Sequence, residues 1–371
     1  MVDLSSQYLR LKKEIDKAVQ NVFKSAEFIN GAQVKIFCDN LSSYMNVPHV
    51  IPCGNGTDAL RIALQALNIG PENDVILPAF TYIAPIEAVA SVGASPIVVD
   101  VDPETFNINP ELIEKAITAR TKAIIVVHLF GQSCDMETIQ KVADKYKLVI
   151  IEDNAQSLGS SYTYSDGHSQ KSGTIGHIGT TSFFPTKPLA CYGDGGAIFT
   201  ADSELAEQIR LLANHGQTKK YHHKIIGSNS RLDTVQAAIL NVKLQYFEEF
   251  TKRRIQIAEQ YDTALSSFPD IILPKKCSYS THVYHQYTLR IKNGKRDALK
   301  AYLAENDIPA MIYYPLPVYE QEAYKWVARL SGNLTESKRL CNEVLSLPIH
   351  SEMTDEAQAF IIETIGKFFT D

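Results

Sequence analysis

Residues 123–156 read AIIVVHLFGQSCDMETIQKVADKYKLVIIEDNAQ, and their pattern decides the fold class. The stretch opens on five apolar residues, 123–127, four of them β-branched. It continues through 136–146, where Met136, Ile139 and Ala143 recur at helical spacing, and returns to an apolar run at 148–151. A buried run, an amphipathic helix and a second buried run make a crossover unit with two parallel strands. Working outward, the same alternation repeats toward the N-terminus. The run 49–52 precedes a helix over 57–67, 74–77 precedes 84–92, and 96–101 precedes 110–117, which opens on a proline suited to a first helical turn. Two further strand candidates, 180–184 and 197–200, flank a Gly-rich loop. The expectation is an α/β protein built on a large, mainly parallel sheet with helices on both faces.

The two ends read differently. Residues 1–45 are helical, with Leu9, Ile15, Val19 and Phe23 as the apolar face. Residues 233–264 read as one long helix. Beyond it come a strand at 284–291, a helix at 296–305, a strand at 311–314, and helices at 336–345 and 355–369. That is a smaller α+β domain, with Trp326 packed inside it. The division is 1–245 for the large domain with its N-terminal helices and 246–371 for the small C-terminal domain.

Composition narrows the function. Hydrophobic residues at 45% and charged residues at 21% are globular values and exclude disorder. The net charge of -6 leaves no electrostatic footprint for nucleic acid or an anionic membrane. The apolar run 123–127 is far too short to span a bilayer. Arg10, Lys12 and Lys13 lie near an N-terminus with no apolar core, which is not a secretory leader. Six cysteines are scattered with no CxxC spacing, as thiols in a reducing compartment would be. These features describe a cytoplasmic protein without nucleic-acid or membrane partners.

Three clusters carry chemistry. Gly54-Asn55-Gly56-Thr57-Asp58 joins a strand to a helix, where backbone amides could cradle a phosphate. An ordinary capping turn would have the same composition. Glu152-Asp153-Asn154-Ala155-Gln156 follows a central strand, at the sheet edge where open α/β sheets place ligands. Asp153 there could hold a proton on a heterocyclic nitrogen, or simply cap a turn. Ser182-Phe183-Phe184-Pro185-Thr186-Lys187 ends a strand with a lysine among aromatics and prolines. Burial frees such an amine to attack a carbonyl, although an isolated lysine is more often a surface residue. In this order the three make a site for pyridoxal 5'-phosphate (PLP): phosphate cradle, acid for the ring nitrogen and Schiff-base lysine. His222-His223 has no Cys or carboxylate pattern to complete a metal set, so no metal site is expected.

Along essentially its whole length the chain resembles the DegT/DnrJ/EryC1/StrS sugar aminotransferases, within the fold-type I PLP-dependent transferases. The strings that carry the resemblance are GNGTDAL (54–60), PAFTY (78–82), EDNAQ (152–156), SFFPTK (182–187), GDGGA (193–197), GSNSRLDTVQAA (227–238) and YYPLP (313–317). The resemblance implies that Lys187 carries the cofactor and shuttles protons, and that Asp153 pairs with the pyridinium. It implies Gln156 beside the ring hydroxyl, Tyr82 stacked on the ring, and Gly56, Thr57 and Ser182 on the phosphate. Asn229 would reach the phosphate of a neighbouring subunit in a homodimer with shared sites. Arg231, Tyr313 and Tyr314 would lie near the substrate. The implied reaction moves an amino group from L-glutamate to C3 of a nucleotide-linked keto-sugar, UDP-2-acetamido-2-deoxy-3-oxo-glucuronate, for surface polysaccharide or O-antigen synthesis. A dTDP-3-keto-6-deoxyhexose substrate and a PLP-binding regulator without turnover are the alternatives.

Overall fold

The computed structural model describes residues 1–370. Its central element is an eight-stranded sheet. In spatial order the strands are His49–Cys53, Gly196–Thr200, Ile178–Ser182, Val149–Asp153, Thr121–Val127, Asp74–Pro78, Ser95–Val99 and Arg329–Ser331. Only Gly196–Thr200 runs antiparallel to its neighbours. Both faces are covered, which explains the unbroken apolar runs of the central strands. One face packs on helices Gly56–Ala66, Ala84–Ser91 and Ser203–Ala213, and the other on Pro110–Ala116 and Met136–Tyr146.

A three-stranded antiparallel sheet, Ile271–Ile272, Tyr287–Ile291 and Val344–Leu347, forms a second core. Helices Phe247–Leu265, Arg296–Glu305 and Asp355–Thr370 pack against it through residues such as Tyr261, Leu303 and Ile365.

Several local expectations change. The N-terminal segment is two helices, Leu4–Ser25 and Ala32–Met45, separated by Ala26 in the left-handed region. The buried stripe of the first is Gln7, Leu11, Ile15 and Val22, while Leu9 and Phe23 face outward. The long helix breaks at Tyr246 into Thr234–Gln245 and Phe247–Leu265. The first half packs on the N-terminal helices and the second on the small sheet. One straight rod could not reach both. Val344–Leu347 leaves the helix to pair with Tyr287–Ile291, because an apolar four-residue run suits either state and the available partner decides. Residues 311–314 make only a single bridge, Met311 to Ser346. Trp326 is 84% exposed rather than packed, and the nearby strand Arg329–Ser331 returns to the edge of the large sheet. Among the described residues no helix is long and apolar enough to cross a membrane.

Candidate active site

The strand His49–Cys53 delivers the chain to Gly54, where the helix Gly56–Ala66 begins. Asn55 caps that helix by accepting from the Asp58 amide at 2.8 Å. The first-turn amides of Gly56 and Thr57 have no intrahelical acceptor and point a positive helix end outward. The backbone here presses against the neighbouring strand end: a Cβ on Gly56 would stand 2.8 Å from Ser182 Cβ. The turn is braced from below by Ser230, whose hydroxyl accepts from the Gly54 amide at 2.9 Å and donates to Asp58 at 2.7 Å.

Asp153 ends the central strand Val149–Asp153 and is buried. Burial pushes its carboxyl above the usual range, opposed by the Ala155 amide and by Lys187 and His128. Lys187 follows the strand Ile178–Ser182. The residue is half-buried overall, but its amine is enclosed, and desolvation holds it below the usual lysine range while Asp153 pulls the other way. Gln156 is locked in orientation: its oxygen accepts from the Phe130 amide at 2.9 Å, and its nitrogen donates to the Tyr314 hydroxyl at 2.9 Å. The Tyr82 ring stands at the rim, 6.1 Å from that of Tyr314.

These groups share one cavity of about 370 Å³. Its lining includes Gly56, Thr57 and Ser182, then Asp153, Gln156 and Lys187, and Tyr82, Tyr313 and Tyr314. Asn229 and Arg231 are not among its lining residues. Asn229 is exposed and accepts from Arg231 Nε at 2.8 Å. The sequence reading missed His285 and Gln286, which enter the cavity from the small sheet's side, and Thr81 and Asp194. The only signal for His285 and Gln286 was the His282-Val283-Tyr284-His285 run, which no local rule connects to Lys187, whereas Thr81 and Asp194 lie inside the PAFTY and GDGGA strings.

The cavity suits PLP on its own features. An amide-lined helix end, a carboxylate and an enclosed amine surround a space large enough for a small aromatic phosphate. Buried Thr81 Oγ1 also lacks a hydrogen-bond partner there. The family model of the DegT/DnrJ/EryC1/StrS aminotransferase family matches residues 9–366.

The chain belongs to that family.

The family's cofactor is PLP, and this member is a PLP-dependent aminotransferase. One relative, named UDP-2-acetamido-2-deoxy-3-oxo-D-glucuronate aminotransferase, from Pseudomonas aeruginosa, is 45% identical over 94% of this chain and 94% of its own. Another, a "pleiotropic regulatory protein" from Geobacillus stearothermophilus, is 44% identical over 100% of this chain and 98% of its own. Among solved structures, S. venezuelae DesV in complex with a ketimine intermediate superposes with a TM-score of 0.95 at 36% identity, covering 100% of this chain and 98% of that one. The family's fold-type I architecture, a large mainly parallel sheet with a smaller α+β part, is the one seen here.

Proposed function

We propose that this family member transfers an amino group from L-glutamate to C3 of a nucleotide-linked keto-sugar, UDP-2-acetamido-2-deoxy-3-oxo-glucuronate, in the cytoplasm, for surface polysaccharide or O-antigen synthesis. The observation that carries the substrate is the 45% identical relative of that name, matched over 94% of both chains. Bound PLP supplies a carbonyl for the donor's amine and a ring that delocalises electrons.

The chain's residues do the rest. Lys187 Nζ holds the cofactor and then moves a proton, a role supported by its lowered basicity. The Asp153 carboxylate keeps the ring nitrogen protonated. Gly56, Thr57 and Ser182 bind the phosphate, Gln156 steadies the ring hydroxyl and Tyr82 covers a ring face. Tyr313 and Tyr314 contact the sugar nucleotide in this chain's cavity, and Arg231, which lies outside that lining beside Asn229, does so at the site of a second copy. Asn229 completes the phosphate site of a second copy in a homodimer, which accords with its exposure and with exposed Tyr221 and Ile226 on the neighbouring segment. In this reading the large domain is 1–245 and the small domain, 246–371, brings the two tyrosines to the cavity.

The test is the visible spectrum of the PLP-loaded protein. Glutamate bleaches the cofactor band, and the UDP-linked 3-keto-uronate restores it. Restoration only by a dTDP-linked 3-keto-6-deoxyhexose would move the substrate to that class.

A further inference from the structure

Gln156 and Tyr314 form a hydrogen-bond chain whose direction is fixed. The chain starts at Phe130, which adopts φ 58°, a region that large side chains seldom enter. Its amide donates to Gln156 Oε1 at 2.9 Å. A backbone amide can only donate, so this contact settles which end of the Gln156 side chain is oxygen. The other end is Nε2, and it donates to Tyr314 Oη at 2.9 Å. Tyr314 therefore accepts from Gln156 and keeps its own proton for another partner. Among the described residues none accepts that proton. Burial holds the hydroxyl above its usual range, so the proton stays on it. Enclosed polar groups are almost always paired, and a donor without an acceptor in a ligand cavity points to an acceptor on the ligand.

The chain is rigid. Gln156 is buried. The turn at Phe130 is pinned from the small sheet's side, where Gln286 N donates to Phe130 O at 3.2 Å and Val283 N to Gly131 O at 2.8 Å. The Tyr314 ring packs edge-on against buried Phe80, with centroids 6.1 Å apart. The donor is set before any ligand arrives.

The chemistry of the cofactor names the acceptor. PLP carries its ring oxygen and its phosphate arm on the two carbons that flank the reactive one. A ring held by Lys187, Asp153 and the amides of Gly56 and Thr57 turns that oxygen away from the phosphate cradle. The Tyr314 hydroxyl is within electrostatic reach of Asp153, as Lys187 is. The ring oxygen, when ionised, only accepts, which is what this hydroxyl lacks. We propose that Tyr314 is a hydrogen-bond donor to the ring oxygen of bound PLP, with Gln156 as the positioning residue that sets its sense. This rests on the PLP reading of the cavity and narrows the role given to Tyr314 above: its ring borders the sugar, and its hydroxyl serves the cofactor.

The experiment is a pH titration of the visible band of PLP-loaded wild type, Tyr314→Phe and Gln156→Leu, without substrate. The proton read by that band is shared between Lys187 Nζ and the ring oxygen. A donor on the oxygen weakens its hold on the proton, so losing the donor raises the midpoint. Tyr314→Phe should raise it by about 1–2 pH units, a ten- to hundredfold change in the proton equilibrium and the scale of a hydrogen bond to a charged group. Gln156→Leu frees the hydroxyl to turn and should raise it by a smaller amount, whereas an unmoved midpoint in that variant removes Gln156 from the chain. A Tyr314→Phe midpoint within about 0.3 unit of wild type overturns the inference. If the half-saturating glutamate or keto-sugar concentration rises about tenfold while the midpoint stays, the proton belongs to that substrate instead. The titration contains no sugar, so failure of the sugar reading is a separate result.

Discussion

Replacing Glu152 by glutamine should destabilise the protein by about 5 °C. Glu152 precedes Asp153 on the central strand and points to the opposite face, where it is fully buried. Its carboxylate accepts four hydrogen bonds. One oxygen takes the Gly173 amide at 2.7 Å and His128 Nε2 at 2.7 Å, and the other takes the Ile175 amide at 2.6 Å and the Gly176 amide at 2.5 Å. His128 cannot reverse its part, because its Nδ1 already accepts from the Cys134 amide at 3.1 Å. A glutamine must turn its NH2 group toward one of these pairs, leaving two buried donors facing another donor. At about 1–3 kcal/mol for each unsatisfied buried group, the loss is about 4 kcal/mol. Unfolding entropy of about 2.1 cal/mol/K per residue over 371 residues is about 0.8 kcal/mol/K, so the midpoint falls by about 5 °C. Scanning calorimetry of both proteins at equal concentration, without and with PLP, measures it. A shift below 1 °C, or a rise, would refute the reasoning.

Three further outcomes follow from the same geometry. Lys187→Ala should keep weak PLP binding but lose amino transfer by more than about a thousandfold, the scale of a positioned acid–base; stopped-flow absorbance with glutamate reads it, and near-wild-type turnover would remove Lys187 from the mechanism. Gly56→Ala places a Cβ 2.8 Å from Ser182 Cβ, so overpacking of about 1–3 kcal/mol should weaken PLP binding by about 5- to 100-fold in a fluorescence titration. Burial lowers His282 from the usual 6.5 to about 3. The unfolded chain then takes up a proton below pH 6.5 that the folded chain refuses, so stability is lost as pH falls from 6.5 toward 3, by up to about 1.4 kcal/mol per pH unit. Urea midpoints from pH 7 to 4 should fall less steeply for His282→Asn, and parallel curves would dismiss the effect.

Much of the architecture is written in local pattern. Runs such as 123–127 and 148–151 separated by Met136–Tyr146 leave few options, because buried parallel strands must be apolar on both faces and need a helix to cross over. The chemistry-bearing strings around Gly56, Asp153 and Lys187 were equally readable, since each sits at a strand end marked by glycine, proline or charge. Where competing local states are close in free energy, the pattern failed. Val344–Leu347 reads as the end of a helix until Tyr287–Ile291 offers it a partner. The break at Tyr246 costs one residue of an otherwise continuous apolar period, and is set by two cores lying in different directions.

From residue order alone came the α/β class, the crossover units, the order of phosphate cradle, acid and lysine, and the family. Short-range sterics and periodicity carry that information along a single segment. The approach of His285 and Gln286 to Lys187 across about a hundred residues of chain was decided by packing of the small sheet against the turn at Phe130 and Gly131. So was the docking of the segment around Ser230 on the turn at Gly54 and Asp58. Contacts between distant segments, and the burial that shifts the basicity of Lys187 and Asp153, exist only once the chain has closed on itself.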